Sequence, residues 1–371
     1  MLFRRALATR CASRLFATKA APEIIVPAPV PPDYAATTAG AAWTRQAPPF
    51  VWHPELSIPW PATHRFAMWK FDDLRRELVA AGLVRSETEF FAPLDEAGNS
   101  DLDAAITRAH DRAYVDAVEG ETLDASLWRR VGFVARPDHA LLMRRTRLEI
   151  SGTLRARDLA KRHGLACHLG GGTHHAHRDY GSGYTIYNDL AITALDEVSK
   201  DAKARVLVVD LDVHQGDGTA NILQDEERCF TWSVHCGVNF PFGFSEKHAP
   251  HLGKDRSSLD TALARGAGDA EMLDAVALHL PAIMDDFAPT LVLYDAGADA
   301  HAVDGLGHLE QSDAGMLARD TAVLRECARR AIPVATVIGG GYDRNRERLA
   351  KRHAAVFHAA RAVWREYARR R

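Results

Sequence analysis

The chain has 371 residues, 47% of them hydrophobic and 26% charged, and a formal net charge of −3. This composition excludes a disordered, collagen-like or coiled-coil chain, and no apolar run reaches the roughly 20 residues of a membrane-spanning helix, so no membrane partner is expected. Five scattered cysteines without a CxxC pair exclude a disulfide framework and a cysteine-built metal site.

Residues 1–20 carry Arg4, Arg5, Arg10, Arg14 and Lys19 and no acid. An Arg- and Ala-rich segment of this kind reads as an organelle transit peptide, mitochondrial ahead of plastid. The rest of the chain then carries about −8, which makes it a poor electrostatic partner for nucleic acid and a better one for basic substrates. Residues 21–49 hold seven prolines among alanines. Such a stretch reads as a linker or surface-hugging arm without regular elements. The domain is expected to begin near Phe50 and to run to residue 371.

From there strands and helices alternate. Residues 71–84 and 140–164 have helical periodicity, the second ended by Gly164. LACHLGGG is a short strand entering a glycine turn, 189–202 is helical, and 204–213 is a β-branched run of the kind buried in a parallel sheet. Residues 228–235 form the next strand and 270–287 a helix, with a kink or break expected at Pro281. Strand 290–297, helix 314–331, strand 333–341 and a basic amphipathic helix over 345–370 complete the pattern. The alternation predicts one α/β domain, a doubly wound, mostly parallel sheet with helices on both faces.

In such sheets ligands bind beyond the carboxyl ends of the strands, and the unusual residues fall at four such ends: GGGTHHAHRDYGSG, DLDVHQGDG, DAGADAH and GGGYD. Period two would put Asp210, Asp212 and His214 on one side of a strand end. Two carboxylates and an imidazole so close call for a cation, and oxygen and nitrogen donors suit Zn²⁺, Fe²⁺ or Co²⁺; Asp299 supplies a third ligand from a second loop. The His174–His175 pair follows three glycines, and Asp210 or Asp217 could orient an imidazole as a general base. Tyr342, on the last glycine turn, can reach a developing oxyanion.

Taken together, HRFAMWK (64–70), RAHDRAYVDAV (108–118), GGTHHAHRDYGSGYTIYND (171–189), DLDVHQGDGT (210–219), GADAHAVDGLG (297–307) and GGGYDRNRERLAKRH (339–353) resemble the zinc-dependent histone deacetylase family of the arginase-like superfamily, nearest its bacterial-type and class IV-like branches. The resemblance implies zinc on Asp212, His214 and Asp299, His175 as general base and acid, and His174 as its electrostatic partner. Asp210 would support His174, Asp217 would support His175, and Tyr342 would donate to the oxyanion. It also implies a K⁺ site at Asp210, Asp212, His214, Ser233 and Val234, and an acyl-lysine tunnel walled by Tyr184 and by Phe240 or Phe242, with Gly183 giving backbone room. Tyr184 stands where the family usually has Phe, Thr185 where it often has Cys, and Gln215 in place of a second His.

The implied activity is removal of acetyl or other acyl groups from lysine side chains of proteins. The alternatives on the same site are acetylpolyamines or long-chain acyl-lysine. A two-metal ureohydrolase or a non-catalytic metal-binding module fits the residues less well. Oligomeric state is not legible.

Overall fold

The computed structural model describes residues 23–26, 45–94, 100–134, 138–241 and 257–368. The Arg-rich segment 1–20, with the transit reading placed on it, and Phe242 lie outside them.

Seven strands form one sheet in the order β2 (Phe50–Val51), β4 (Leu165–His168), β9 (Val334–Val337), β8 (Leu291–Asp295), β5 (Val206–Asp210), β6 (Cys229–Cys236) and β7 (Leu259–Leu263). Every neighbouring pair is parallel. All residues of β4, β5, β8 and β9 are buried, so both faces of the sheet are covered, as its unbroken apolar runs require. This is the single doubly wound α/β domain expected from the sequence.

Ten helices are described: α1 (Lys70–Ala80), α2 (Ser100–Ala109), α3 (Arg112–Glu119), α4 (Ala125–Val131), α5 (His139–His163), α6 (Asp189–Lys200), α7 (Asp217–Leu223), α8 (Asp269–Phe287), α9 (Asp313–Arg329) and α10 (Arg346–Ala368). Helix α5 shows how the sequence sets the ends. Asp138 accepts from the amide of Leu141 at 2.9 Å, and Gly164 closes the helix at φ +92°, a conformation glycine adopts without steric penalty. Helix α10 is amphipathic as expected. Leu349, Phe357 and Val363 are buried, and the helix packs on α1 and α9.

Two expectations are corrected. Helix α8 continues past Pro281, so of the kink or break expected there the break does not occur. The carbonyl that proline leaves without a helical donor belongs to Ala277, which is exposed, so water can serve it. A two-residue strand, β1 (Ile24–Ile25), forms in the proline-rich stretch and pairs antiparallel with β3 (Trp60–Pro61). Its β-branched residues favour extended backbone, and the amide of Ala62 closes the pairing on the Glu23 carbonyl at 2.6 Å.

Candidate active site

The four loops expected to carry chemistry leave the carboxyl ends of β4, β5, β8 and β9, which are neighbours in the sheet. After β4, Gly171 and Gly172 sit at φ +76° and +84°, where side chains are strained. Asp189, first residue of α6, ties this turn down. Its carboxylate accepts from the amides of Gly172 (3.1 Å) and Thr173 (2.7 Å) and from the Thr173 hydroxyl (2.6 Å). The turn thus delivers His174 and His175 side by side, ring centroids 4.1 Å apart.

Each imidazole meets its own carboxylate. His174 Nδ1 is 2.8 Å from Asp210 Oδ2 and His175 Nδ1 is 2.6 Å from Asp217 Oδ1. The two rings are electrostatically unlike. Burial opposes charge on His174, but Asp210, Asp212 and Asp295 outweigh it and hold its pKa well above the ordinary 6.5. Burial, reinforced by the charge on His174, pushes His175 down to about 4 although Asp217 pulls the other way. The surroundings therefore favour charge on His174 and disfavour it on His175.

The expected alignment of Asp210, Asp212 and His214 along one side of a strand is corrected. Strand β5 ends at Asp210. The amide of Asp212 donates to Asp210 Oδ1 (3.1 Å) and that of His214 to Asp212 Oδ1 (2.9 Å), local turns that bend the chain away from extended geometry. Asp210 therefore faces His174, while Asp212 and His214 meet Asp299. His214 Nδ1 lies 3.1 Å from Asp212 Oδ1 and 3.2 Å from Asp299 Oδ2. Asp299 Oδ2 is buried and accepts no hydrogen bond. Burial disfavours charge on His214, yet the two carboxylates raise it to about 10, and burial together with Asp212 raises Asp299 to about 7. The space between these three groups calls for positive charge. Gly340 adjoins it so closely that a Cβ there would overlap Asp299 Oδ2. Converging oxygen, nitrogen and oxygen donors with one orphaned carboxylate oxygen fit a divalent metal ion.

Strand β6 lies beside β5 with Ser233 opposite Asp210, which brings Ser233 and Val234 to the residues expected around a monovalent cation. The tunnel residues gather as a wall. Phe240 meets the His175 ring edge-on at 4.8 Å. Tyr184 stacks on Phe133 at 6.0 Å and lies 5.9 Å from Tyr342, and Gly183 leaves room against the His175 ring. Tyr342 is 6.4 Å from His214 between ring centroids. Burial and the surrounding carboxylates hold its hydroxyl well above the usual range, as a donor.

Several contributors were missed in the sequence. His64 and Phe66 complete the aromatic wall around Tyr184; both stand in HRFAMWK, whose pattern alone points to no role. Asp304 accepts the Tyr342 amide at 2.7 Å and so fixes that loop. Asp295, one residue beyond the apolar run of β8, faces His174 at 4.0 Å. Lys70 and the Arg145–Glu149 pair line a pocket of about 30 Å³ that His175 and Tyr342 share, room for about one water. Lys70 donates to the Gly339 carbonyl at 2.7 Å, and burial lowers its pKa to about 8 against the pull of Asp299 and Glu149. These three lie on helices, where nothing separates them from ordinary amphipathic positions.

Comparison with known proteins agrees with this geometry. Residues 64–360 match the histone deacetylase domain family. An uncharacterized protein of Picosynechococcus sp. is 41% identical over 316 residues, 85% of this chain and 99% of its own length. Histone deacetylase 2 of Arabidopsis thaliana is 27% identical over 292 residues, 77% of this chain and 71% of the plant protein. Acetoin utilization protein AcuC of Staphylococcus aureus is 37% identical over 146 residues, 38% of this chain and 37% of the bacterial protein. With its parallel sheet, its paired histidines and its Asp–His–Asp group at the strand ends, this chain belongs to the histone deacetylase family and is a deacetylase-type hydrolase.

Proposed function

We propose that this protein removes acetyl groups from lysine side chains of proteins, using zinc on Asp212, His214 and Asp299. The observation that carries the reading is the pair of histidines beside that group, each held by its own carboxylate: His174 Nδ1 at 2.8 Å from Asp210 and His175 Nδ1 at 2.6 Å from Asp217. The bound metal would supply Lewis acidity to the amide carbonyl and make a nearby water more acidic. A site with two carboxylates leaves the ion less charged than an all-histidine site, so a protein base is needed as well.

His175 is that base. Asp217 holds its Nδ1, so the proton of the attacking water is taken at Nε2 and then handed to the departing lysine amine as the C–N bond breaks. His174 stays protonated and stabilises negative charge built up beside it. Tyr342 donates its hydroxyl to the oxyanion of the tetrahedral intermediate, held in place by the Asp304 contact at its amide. Tyr184, Phe240 and their aromatic neighbours enclose the lysine stem and exclude water.

The test is hydrolysis by the full zinc-loaded chain of acetyl-lysine peptides, long-chain acyl-lysine peptides and acetylated polyamines, with His175→Ala as control. Release of acetate from the first class, lost in the control, is expected. Turnover of polyamines or long-chain substrates alone would replace the acyl-lysine reading with one of those. A mitochondrial site of action is part of the proposal, motivated by the Arg-rich residues 1–20. A reporter fused to residues 1–40 that stays in the cytosol would overturn it.

A further inference from the structure

Outside the tunnel lies a groove of about 620 Å³ that shares Tyr342 with the inner pocket. Its lining includes apolar Ile25 of β1, Val303 and Leu306. It also includes Arg65 and Arg344. Both arginines are exposed, and among the described residues no ion pair engages either. The remaining charges of the lining are spent internally. Arg346 forms a two-pronged pair with Asp73 (2.7 Å twice), and Asp343 is held by Arg352 at 2.7 Å. His64 accepts from the Phe66 amide at Nδ1 (3.0 Å) and meets the Gly132 carbonyl at Nε2 (2.9 Å), and burial lowers its pKa. The groove therefore presents two uncommitted positive charges at the rim of the site. The chain as a whole is negatively charged, so its overall charge does not predict this local one.

We infer that the groove is a specificity subsite for the substrate chain: it takes a peptide with an Asp or Glu side chain beside the acyl-lysine, seating apolar neighbours against Ile25 and Val303. This rests on the acyl-lysine reading above. It sharpens that reading by disfavouring acetylated polyamines, whose free amines are cations and would be repelled at the same rim. Two exposed guanidinium–carboxylate contacts give a modest preference, about three- to tenfold, that salt screens.

The experiment compares matched acetyl-lysine peptides with acidic, neutral or basic flanks on the full zinc-loaded chain, at low and high ionic strength. It follows kcat and KM together with peptide binding by fluorescence anisotropy. The acidic peptide should be preferred about three- to tenfold in kcat/KM, through KM, with the preference shrinking in salt. In Arg65→Gln/Arg344→Gln the acidic-to-neutral ratio should fall to about one. Equal kcat/KM for acidic and neutral peptides, or a preference that survives in the double variant, overturns the subsite and leaves the deacylase reading standing. Arginine-dependent binding of the acidic peptide without turnover of any peptide would do the reverse.

Discussion

Two buried groups of the same composition, one histidine and two aspartates each, lie next to one another at the strand ends. They are Asp212–His214–Asp299 and His174–Asp210–Asp295. In the first, the imidazole nitrogen stands about equally far from both carboxylates, 3.1 and 3.2 Å, and one carboxylate oxygen is left without a donor. In the second, the imidazole commits to one partner, 2.8 Å to Asp210 against 4.0 Å to Asp295. The donors of the first group converge on a shared centre that an ion can fill. In the second, the imidazole is bonded to Asp210 and stands apart from Asp295. Composition alone cannot tell a ligand set from a charge relay; the wiring can.

The comparison breaks most easily at Asp212. Asp212→Asn removes the anionic charge at the ligand position and leaves one oxygen to serve the two amides, of Gly340 and His214, that the carboxylate now accepts from. Bound metal measured by elemental analysis should drop from one per chain to a small fraction. Turnover should fall by at least the order of 10³, more than the loss of a single oxyanion donor. Full metal content in this variant would show that the ion sits elsewhere.

Tyr342→Phe separates chemistry from metal binding. The phenol is close to His214 but takes no place among the three converging donors. Metal content should stay at one per chain while kcat falls on the order of 10²- to 10³-fold. A kcat near that of the wild type would remove Tyr342 from the mechanism.

Gly340→Ala tests the first group without touching a ligand. The added methyl would overlap Asp299 Oδ2 and press on Asp212 Oδ2 at 2.8 Å. Metal affinity, read by competition with a chelator, should weaken about 10- to 100-fold, the range typical of disturbed supporting contacts. Unchanged affinity would mean that the loop gives way freely.

How much of this was legible in the sequence depends on the distance over which each feature is determined. The strands were legible because burial on both faces leaves unbroken apolar runs such as Val206–Val209. The glycine turns and DxDxH fragments were legible because their chemistry is local. The parting of Asp210 from Asp212 and His214 was not, since it depends on side-chain-to-amide bonds at a strand end three residues earlier than the apolar run suggests. Lys70, Arg145 and Glu149 reach the site from helices far along the chain, and their polar identity is ordinary for a helix surface until the fold buries them. Pro281 misled for a related reason: whether a proline breaks a helix depends on where the orphaned carbonyl points, which only the packing decides.

The smallest expected effect gives the sharpest test of the comparison, at Asp295. Both of its oxygens are buried without a hydrogen-bond donor, and burial and the nearby Asp210 hold its carboxyl well above the ordinary range. The folded protein therefore favours the protonated carboxyl more than the unfolded chain does. The folded state then binds the extra proton, so stability is greatest below the ordinary carboxylate range and declines as pH rises toward the raised value. Asp295→Asn keeps the shape and removes the titration. Its melting temperature should exceed that of the wild type on the order of 2 °C at pH 8, with the difference shrinking toward pH 4. Metal content should remain one per chain, because the His174 imidazole of the second group is committed to Asp210. If the wild type carries two metal ions and the variant one, the wiring argument fails, and His174, Asp210 and Asp295 form a second metal site.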